Sequence, residues 1–159
     1  MNSLPEFVAV LDNIRSLHNV GAIFRTADGA GVQKLYLCGM TATPPRAEIR
    51  KAALGAEEYV AWEYFPTTAA ALAALKSEGY LLLALENTPA STDYRAARLR
   101  APLALIVGHE FDGIRPEILA QCDGVISLPM RGRKNSLNVA VAFGIAAYEI
   151  ANRLWPEVK

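Results

Sequence analysis

The chain has 159 residues, equal numbers of acidic and of Lys plus Arg residues, 52% hydrophobic residues and 20% charged ones. That length suits one domain with a single core, and the composition excludes an extended disordered chain. A formal charge of zero excludes whole-molecule attraction to nucleic acid, so any contact with a polyanion must come from local patches.

Along the chain, short runs apolar at nearly every position alternate with helical patterns. The runs "EFVAVLD" (6–12), "KLYLCG" (34–39), "YLLLALE" (80–86), "LALIVG" (103–108) and "GVISLP" (124–129) read as strands. Between them, "NVGAIFRTADGAG", "PTTAAALAALKSEG" and "RPEILAQCDG" read as helices, and the last strand leads into a helix over 136–154. Pro66 and Pro116 suit first-turn positions, and Gly31, Gly79 and Gly124 suit helix ends. Continuous rather than alternating apolar strands are expected where helices cover both faces of a parallel sheet, so the fold class is α/β.

The N-terminal residues lack a cationic segment followed by a long apolar run, and no stretch is long enough to span a bilayer. The protein is therefore expected to be soluble and cytoplasmic. Cys38 and Cys122 have neither disulfide nor metal-ligand spacing and read as small buried hydrophobes. Three cation clusters stand out: Arg46, Arg50 and Lys51; Arg95, Arg98 and Arg100; Arg131, Arg133 and Lys134. Each alone is compatible with a solvated face.

In open parallel sheets, ligands bind outside the carboxyl ends of the strands. Four loops gather there. In the first, Asn19 is a candidate N-cap, and small residues follow it. Arg25, less than two turns further, is either an inert surface residue or a guanidinium fork for phosphate. In "VGHEFDG", Gly108 and Gly113 bracket a turn, Glu110 either pairs with Arg25 or caps the turn, and His109 is either an acid–base group or a bystander. In "PMRGRKNS", Ser136 is a candidate N-cap whose helix start could attract anions. Neither a P-loop nor a dinucleotide-binding glycine motif is present. The final helix carries Leu137, Val141, Ile145 and Tyr148 on one side and Val139, Phe143, Ala146 and Ile150 on another. A small sheet covers only one of these, which points to a second subunit on the other.

Three blocks together resemble the three motifs of SpoU-type RNA 2′-O-ribose methyltransferases of the SPOUT superfamily: "NVGAIFRTADGAGV" (19–32), "LALIVGHEFDGI" (103–114) and "ISLPMRGRKNSLNVAVAFGIAAYE" (126–149). The resemblance implies a three-layer parallel-sheet α/β knot with a C-terminal trefoil, one domain over 1–159 without a separate RNA-binding domain, and a homodimer. It implies S-adenosyl-L-methionine as cofactor, held by Leu85, Glu86, Asn87, Gly108, His109, Glu110, Ile126, Leu128, Met130, Ser136, Leu137 and Asn138, with no metal. Asn19, Arg25, Glu110, Ser136 and Asn138 match the motif residues of the catalytic site, and Arg25, Arg131, Arg133 and Lys134 are the expected RNA contacts. His109 departs from the Asn more common before the second motif's Glu. The implied reaction is methyl transfer to a ribose 2′-OH, with tRNA ahead of rRNA as substrate. The alternatives are a knotted RNA-binding or assembly protein without turnover, and a base methyltransferase of the same superfamily.

Overall fold

The computed structural model describes residues 5–156. Its strands are β1 (Phe7–Asp12), β2 (Lys34–Cys38), β3 (Ala61–Phe65), β4 (Leu81–Leu85), β5 (Thr92–Asp93), β6 (Leu103–Val107) and β7 (Gly124–Ser127). The helices are α1 (Leu17–Ala30), α2 (Ala47–Ala53), α3 (Thr68–Ser77), α4 (Pro116–Leu119) and α5 (Val139–Leu154). All strands pair in parallel, in the order β3-β2-β1-β6-β4-β7-β5.

The two most continuously apolar strands, β1 and β6, lie side by side in the middle and are buried at every position. Alternate residues feed two cores. Phe7, Ala9, Leu11, Leu103 and Leu105 pack under α1, α2 and α5, while Val8, Val10, Ala104 and Ile106 pack under α3 and α4. The result is the expected three-layer α/β arrangement.

All five expected strands are present, and the structure adds two at the sheet's margins. Residues of β3 are mostly exposed, and its sequence AWEYF alternates instead of running apolar, which is why it carries no central-strand signal. Two-residue β5 is too short to show any period. Helix α2 was also unforeseen, since only Ile49 and Ala53 of its seven residues are buried.

Helix starts differ from expectation in both motif loops. Ser16 caps α1, its hydroxyl accepting from the Asn19 amide at 3.1 Å, so Asn19 lies inside the first turn and its side chain is left free for other partners. Arg25 consequently sits more than two turns into α1. Helix α5 begins at Val139, capped by Asn138 rather than Ser136; the Asn138 side-chain oxygen Oδ1 accepts from the amides of Ala140 and Val141. Pro66 precedes the α3 cap Thr67, and Gly124 opens β7, whereas Gly31 terminates α1 with φ 82° as expected.

Helices α1 and α5 run side by side in the same direction. Asn19 meets Asn138 at their starts, the Tyr148 hydroxyl fills the space over Gly29, and the Trp155 ring fills that over Gly31. Of the two apolar sides of α5, Phe143, Ala146, Ala147 and Ile150 are buried, whereas Leu137, just before the helix, and Val141, Ile145 and Tyr148 are exposed.

Candidate active site

The loops after β4, β6 and β7, with the start of α5, enclose a cleft of about 360 Å³ at the carboxyl ends of the strands. Of the residues expected to hold the cofactor, all but Ile126 line it. The Ile126 side chain is in the core instead, and only its carbonyl works near the site, accepting from the Glu86 amide at 3.0 Å. Sequence reading missed Val107, Phe111, Asp112, Gly113, Ser127, Asn135, Val139 and Ala142 in the lining. The available signal was their position in the three loops, at the last residues of β6 and β7 (Val107 and Ser127), or in the first turn of α5 (Val139 and Ala142).

Two carboxylates fix the loop after β6 from opposite sides. Glu86 accepts from the Ile114 amide at 2.9 Å and from the Asn87 amide at 3.2 Å, holding the loop's far end. Glu110 reaches away to the first motif, accepting from the amides of Arg15 and Ser16 at 3.2 and 3.0 Å and from the Asn19 side-chain amide at 3.4 Å. Partial burial pushes the Glu110 carboxyl up, but these hydrogen bonds and one from its own amide outweigh that and hold it below the usual carboxylate range.

Gly108 is required by the same loop: a Cβ there would stand 2.5 Å from Ile114 Cγ1 and 2.9 Å from the Gly113 carbonyl carbon. His109 Nδ1 accepts from the amides of Phe111 and Asp112 at 3.1 and 3.0 Å. The histidine thus shapes the turn. Phe111 beside it is 90% exposed at the mouth of the cleft.

The three motifs meet through side chains. Asn19 donates to Glu110, and its side-chain oxygen accepts from the Asn138 amide group at 3.2 Å, forming a chain Glu110–Asn19–Asn138 across three loops. Asn19 is buried there, because each of its polar atoms has a partner. Ser136 lines the cleft and is exposed.

Arg25 stands apart. It neither lines the cleft nor pairs with Glu110, whose partners are all within residues 15–19 and its own loop. Six residues beyond Asn19, it lies about 9 Å further along the helix axis. Because Gly29, one turn on, touches Tyr148, Arg25 sits at the margin of the exposed stripe of α5. Arg131, Arg133 and Lys134 are exposed on the segment entering the cleft, which the Asn87 side chain anchors by donating to the Asn135 carbonyl at 3.2 Å.

Neither cysteine serves the site: burial pushes the Cys38 thiol up to about 12 and Cys122 to about 11, which keeps both protonated. Among the described residues, no helix is long and apolar enough to cross a membrane, and no three His, Cys, Asp or Glu side chains are grouped to hold a metal.

A parallel sheet covered on both faces, with a cleft at the carboxyl ends of adjacent strands, defines an α/β protein of the kind that holds a nucleoside-sized ligand there. The particular family follows from comparison: the model of the SpoU rRNA Methylase family matches residues 6–148, and the chain belongs to that family. It is 36% identical over 140 residues to a protein of Vibrio parahaemolyticus named 23S rRNA (guanosine-2'-O-)-methyltransferase RlmB, covering 88% of this chain and 56% of that one. It is 34% identical to the tRNA (guanosine(18)-2'-O)-methyltransferase of Aquifex aeolicus, covering 91% of this chain and 68% of that one. The chain thus spans little more than half the length of several curated relatives it matches.

Among solved structures, the AdoMet-bound rRNA methyltransferase of Sinorhizobium meliloti superposes with a TM-score of 0.88 at 30% identity, covering 95% of this chain and 57% of that one. A structure described as giving insights into the 2-OH methylation of C/U34 on tRNA superposes with a TM-score of 0.86 at 29% identity, covering 98% of this chain and all of that one.

Proposed function

We propose that the protein transfers the methyl group of S-adenosylmethionine to a ribose 2′-OH of RNA, with tRNA ahead of rRNA as the substrate. The observation that carries this reading is the Glu110–Asn19–Asn138 chain, which brings all three motifs to one cleft. The cleft fits the cofactor: its volume falls within the range of small-molecule pockets, Leu85, Leu128, Met130 and Leu137 offer apolar walls to a purine, and Glu86 and Asp112 offer anions to a cationic group. The cofactor supplies a methyl group already activated by a sulfonium centre. The chain's own task is to align a hydroxyl and to deal with its proton. The preference for tRNA is supported by the match along the full length of a solved chain whose description concerns the 2-OH methylation of C/U34 on tRNA.

In this reading Glu110, Asn19 and Asn138 hold the three loops in register, and Ser136 and the α5 start contact cofactor and ribose. Arg131, Arg133 and Lys134 meet phosphates. Arg25, which stands outside the cleft of its own chain, acts from the subunit seam, where it grips the phosphate beside the target ribose and stabilises the developing alkoxide. A guanidinium does not readily give up its proton, so a phosphate oxygen or water accepts the one leaving the hydroxyl. The exposed stripe Val141, Ile145 and Tyr148 packs against a second copy, which places Arg25 at the seam between subunits. The C-terminal trefoil knot, with residues 131–138 as its last crossing, belongs to the same reading, and Asn87 meets that segment at the Asn135 carbonyl.

The test is transfer of label from S-adenosylmethionine to bulk RNA of a strain lacking the gene, with no added metal, followed by nucleoside analysis. Label in ribose supports the reading, label in a base moves the protein to another reaction, and binding without transfer leaves an RNA-binding role. The double variant Arg131→Ala and Arg133→Ala is expected to flatten the salt dependence of RNA binding. An unchanged slope would return these residues to a solvated face.

A further inference from the structure

A second hollow opens on the same rim of the sheet, lined by Gly39, Thr41, Pro44, Pro45, Trp62 and Tyr64 with Arg46 at its lip. Trp62 and Tyr64 are two apart on β3 and share a face. Both rings remain more than a third exposed, and Met40 beside them is 58% exposed. The Tyr64 hydroxyl donates to the Gly39 carbonyl at 2.9 Å, which fixes that ring against the loop after β2.

This hollow is joined to the methyl-transfer cleft by one hydrogen-bonded belt. Glu110 holds the amides of Arg15 and Ser16. The neighbouring Ile14 amide donates to the Thr41 hydroxyl at 3.0 Å, and the Asn13 side chain accepts from the Met40 amide at 2.8 Å. The Gly39 amide then donates to the Phe65 carbonyl at the end of β3. Strand β3 is three strand spacings from β6, about 14 Å.

Charge at the hollow suits a phosphate backbone. Arg46 lines the hollow and is exposed, and its pair with Glu48 at 4.0 Å is a long surface one that a phosphate can replace, while Arg50 and Lys51 are exposed further along α2. Although β3 is an edge strand, its other face carries the Lys34–Glu63 pair at 3.0 Å, and charged side chains on an edge discourage an added strand. Exposed aromatics beside Arg46, on a rim continuous with the cleft, match a stacking platform for unpaired bases.

We propose that Trp62 and Tyr64, with Arg46, form a second RNA contact that stacks an unpaired nucleotide a few positions from the target ribose. This rests on the RNA methyltransferase reading above. The occupant is the substrate RNA itself, engaged through base faces at Trp62 and Tyr64 and through phosphate at Arg46. The contact selects RNA in which the target lies in a loop, because paired bases cannot present their faces.

The test uses bulk tRNA from a strain lacking the gene, with binding followed by anisotropy and methyl transfer by label incorporation. Trp62→Ala is expected to weaken RNA affinity about ten-fold, near the lower end of what base–aromatic stacking contributes. It should raise KM for tRNA correspondingly while KM for S-adenosylmethionine stays as in the wild type. Trp62→Phe, which keeps an aromatic face, should recover most of the loss. Tryptophan emission of the wild type should be quenched by tRNA, and this quenching should vanish in Trp62→Phe. Wild-type RNA affinity in Trp62→Ala overturns the proposal and leaves the hollow to a protein partner. An equal rise in both KM values also overturns it, by showing a structural defect. If the wild type binds and methylates no tRNA, the functional reading fails and takes this proposal with it, whereas normal wild-type transfer with an inert Trp62→Ala sinks the second contact alone.

Discussion

The two sides of α5 are almost equally apolar in sequence and have opposite fates. Phe143, Ala146, Ala147 and Ile150 are sealed against α1 and the sheet, while Leu137, Val141, Ile145 and Tyr148 face out in a row. Val141, Ile145 and Tyr148, at spacings of four and three within α5, line one side of the helix, so the outer row is a continuous stripe rather than scattered exposure. The lesson is that hydrophobicity states how much surface a helix must hide, whereas the sheet's extent states how much it can hide within one chain.

The strongest way to probe that contrast is to cut into the sealed side. Phe143→Ala should destabilise the protein by about 3–5 kcal/mol, since a fully buried ring leaves a cavity that its neighbours only partly fill. Denaturant unfolding measures this, and a loss similar to that of an outer-row substitution would erase the distinction between the faces.

At the margin of the outer row, Arg25→Ala should slow single-turnover methyl transfer roughly 100-fold, about 3 kcal/mol, with cofactor affinity unchanged. Arg25→Lys should restore little, because a point charge lacks the bidentate fork. Near wild-type turnover in Arg25→Ala, or a defect lying wholly in cofactor binding, would remove Arg25 from the chemistry.

At the start of α5, Asn138→Ala removes both a helix cap and the link to Asn19, and should cost about 1–2 kcal/mol. A double-mutant cycle with Asn19→Ala should show coupling between the two; strict additivity would mean that the motifs are merely neighbours.

The outer row itself should matter little to one isolated chain, with Ile145→Ser within about 0.5 kcal/mol. Replacing Val141 and Ile145 together by Glu should nevertheless convert a dimer into monomers in sedimentation. A wild type that is monomeric at micromolar concentration would show that the stripe has no second copy to meet.

The smallest effect concerns Glu110. Its folded carboxyl lies below the ordinary range, so its contribution to stability is present above the unfolded carboxylate's range and fades as pH falls through the lower folded value. The stability difference between wild type and Glu110→Gln should therefore be largest near neutral pH and shrink in acid. A difference independent of pH would mean that the charge of Glu110 is not what its amide partners hold.

The central strands were legible in the sequence because burial on both faces demands residues apolar at every position, and β1 and β6 obey that rule. The lining of the cleft was legible for a related reason: parallel strands deliver their following loops to one rim, so loop identity alone gathered Leu85 to Asn87, Gly108 to Glu110 and Ser136 to Asn138. Ile126 escaped this logic, since proximity to a strand end does not say which way a side chain turns. The edge strand β3 and the partners of Glu110 were decided only by tertiary structure. An edge strand need not be apolar, and a carboxylate on a loop pairs with whichever donors the fold carries to it. The sequence offered Arg25 as the opposite charge. The fold instead delivered the amides of Arg15 and Ser16 and the side chain of Asn19, because the first turn of α1 abuts that loop while Arg25 lies two turns further along the helix.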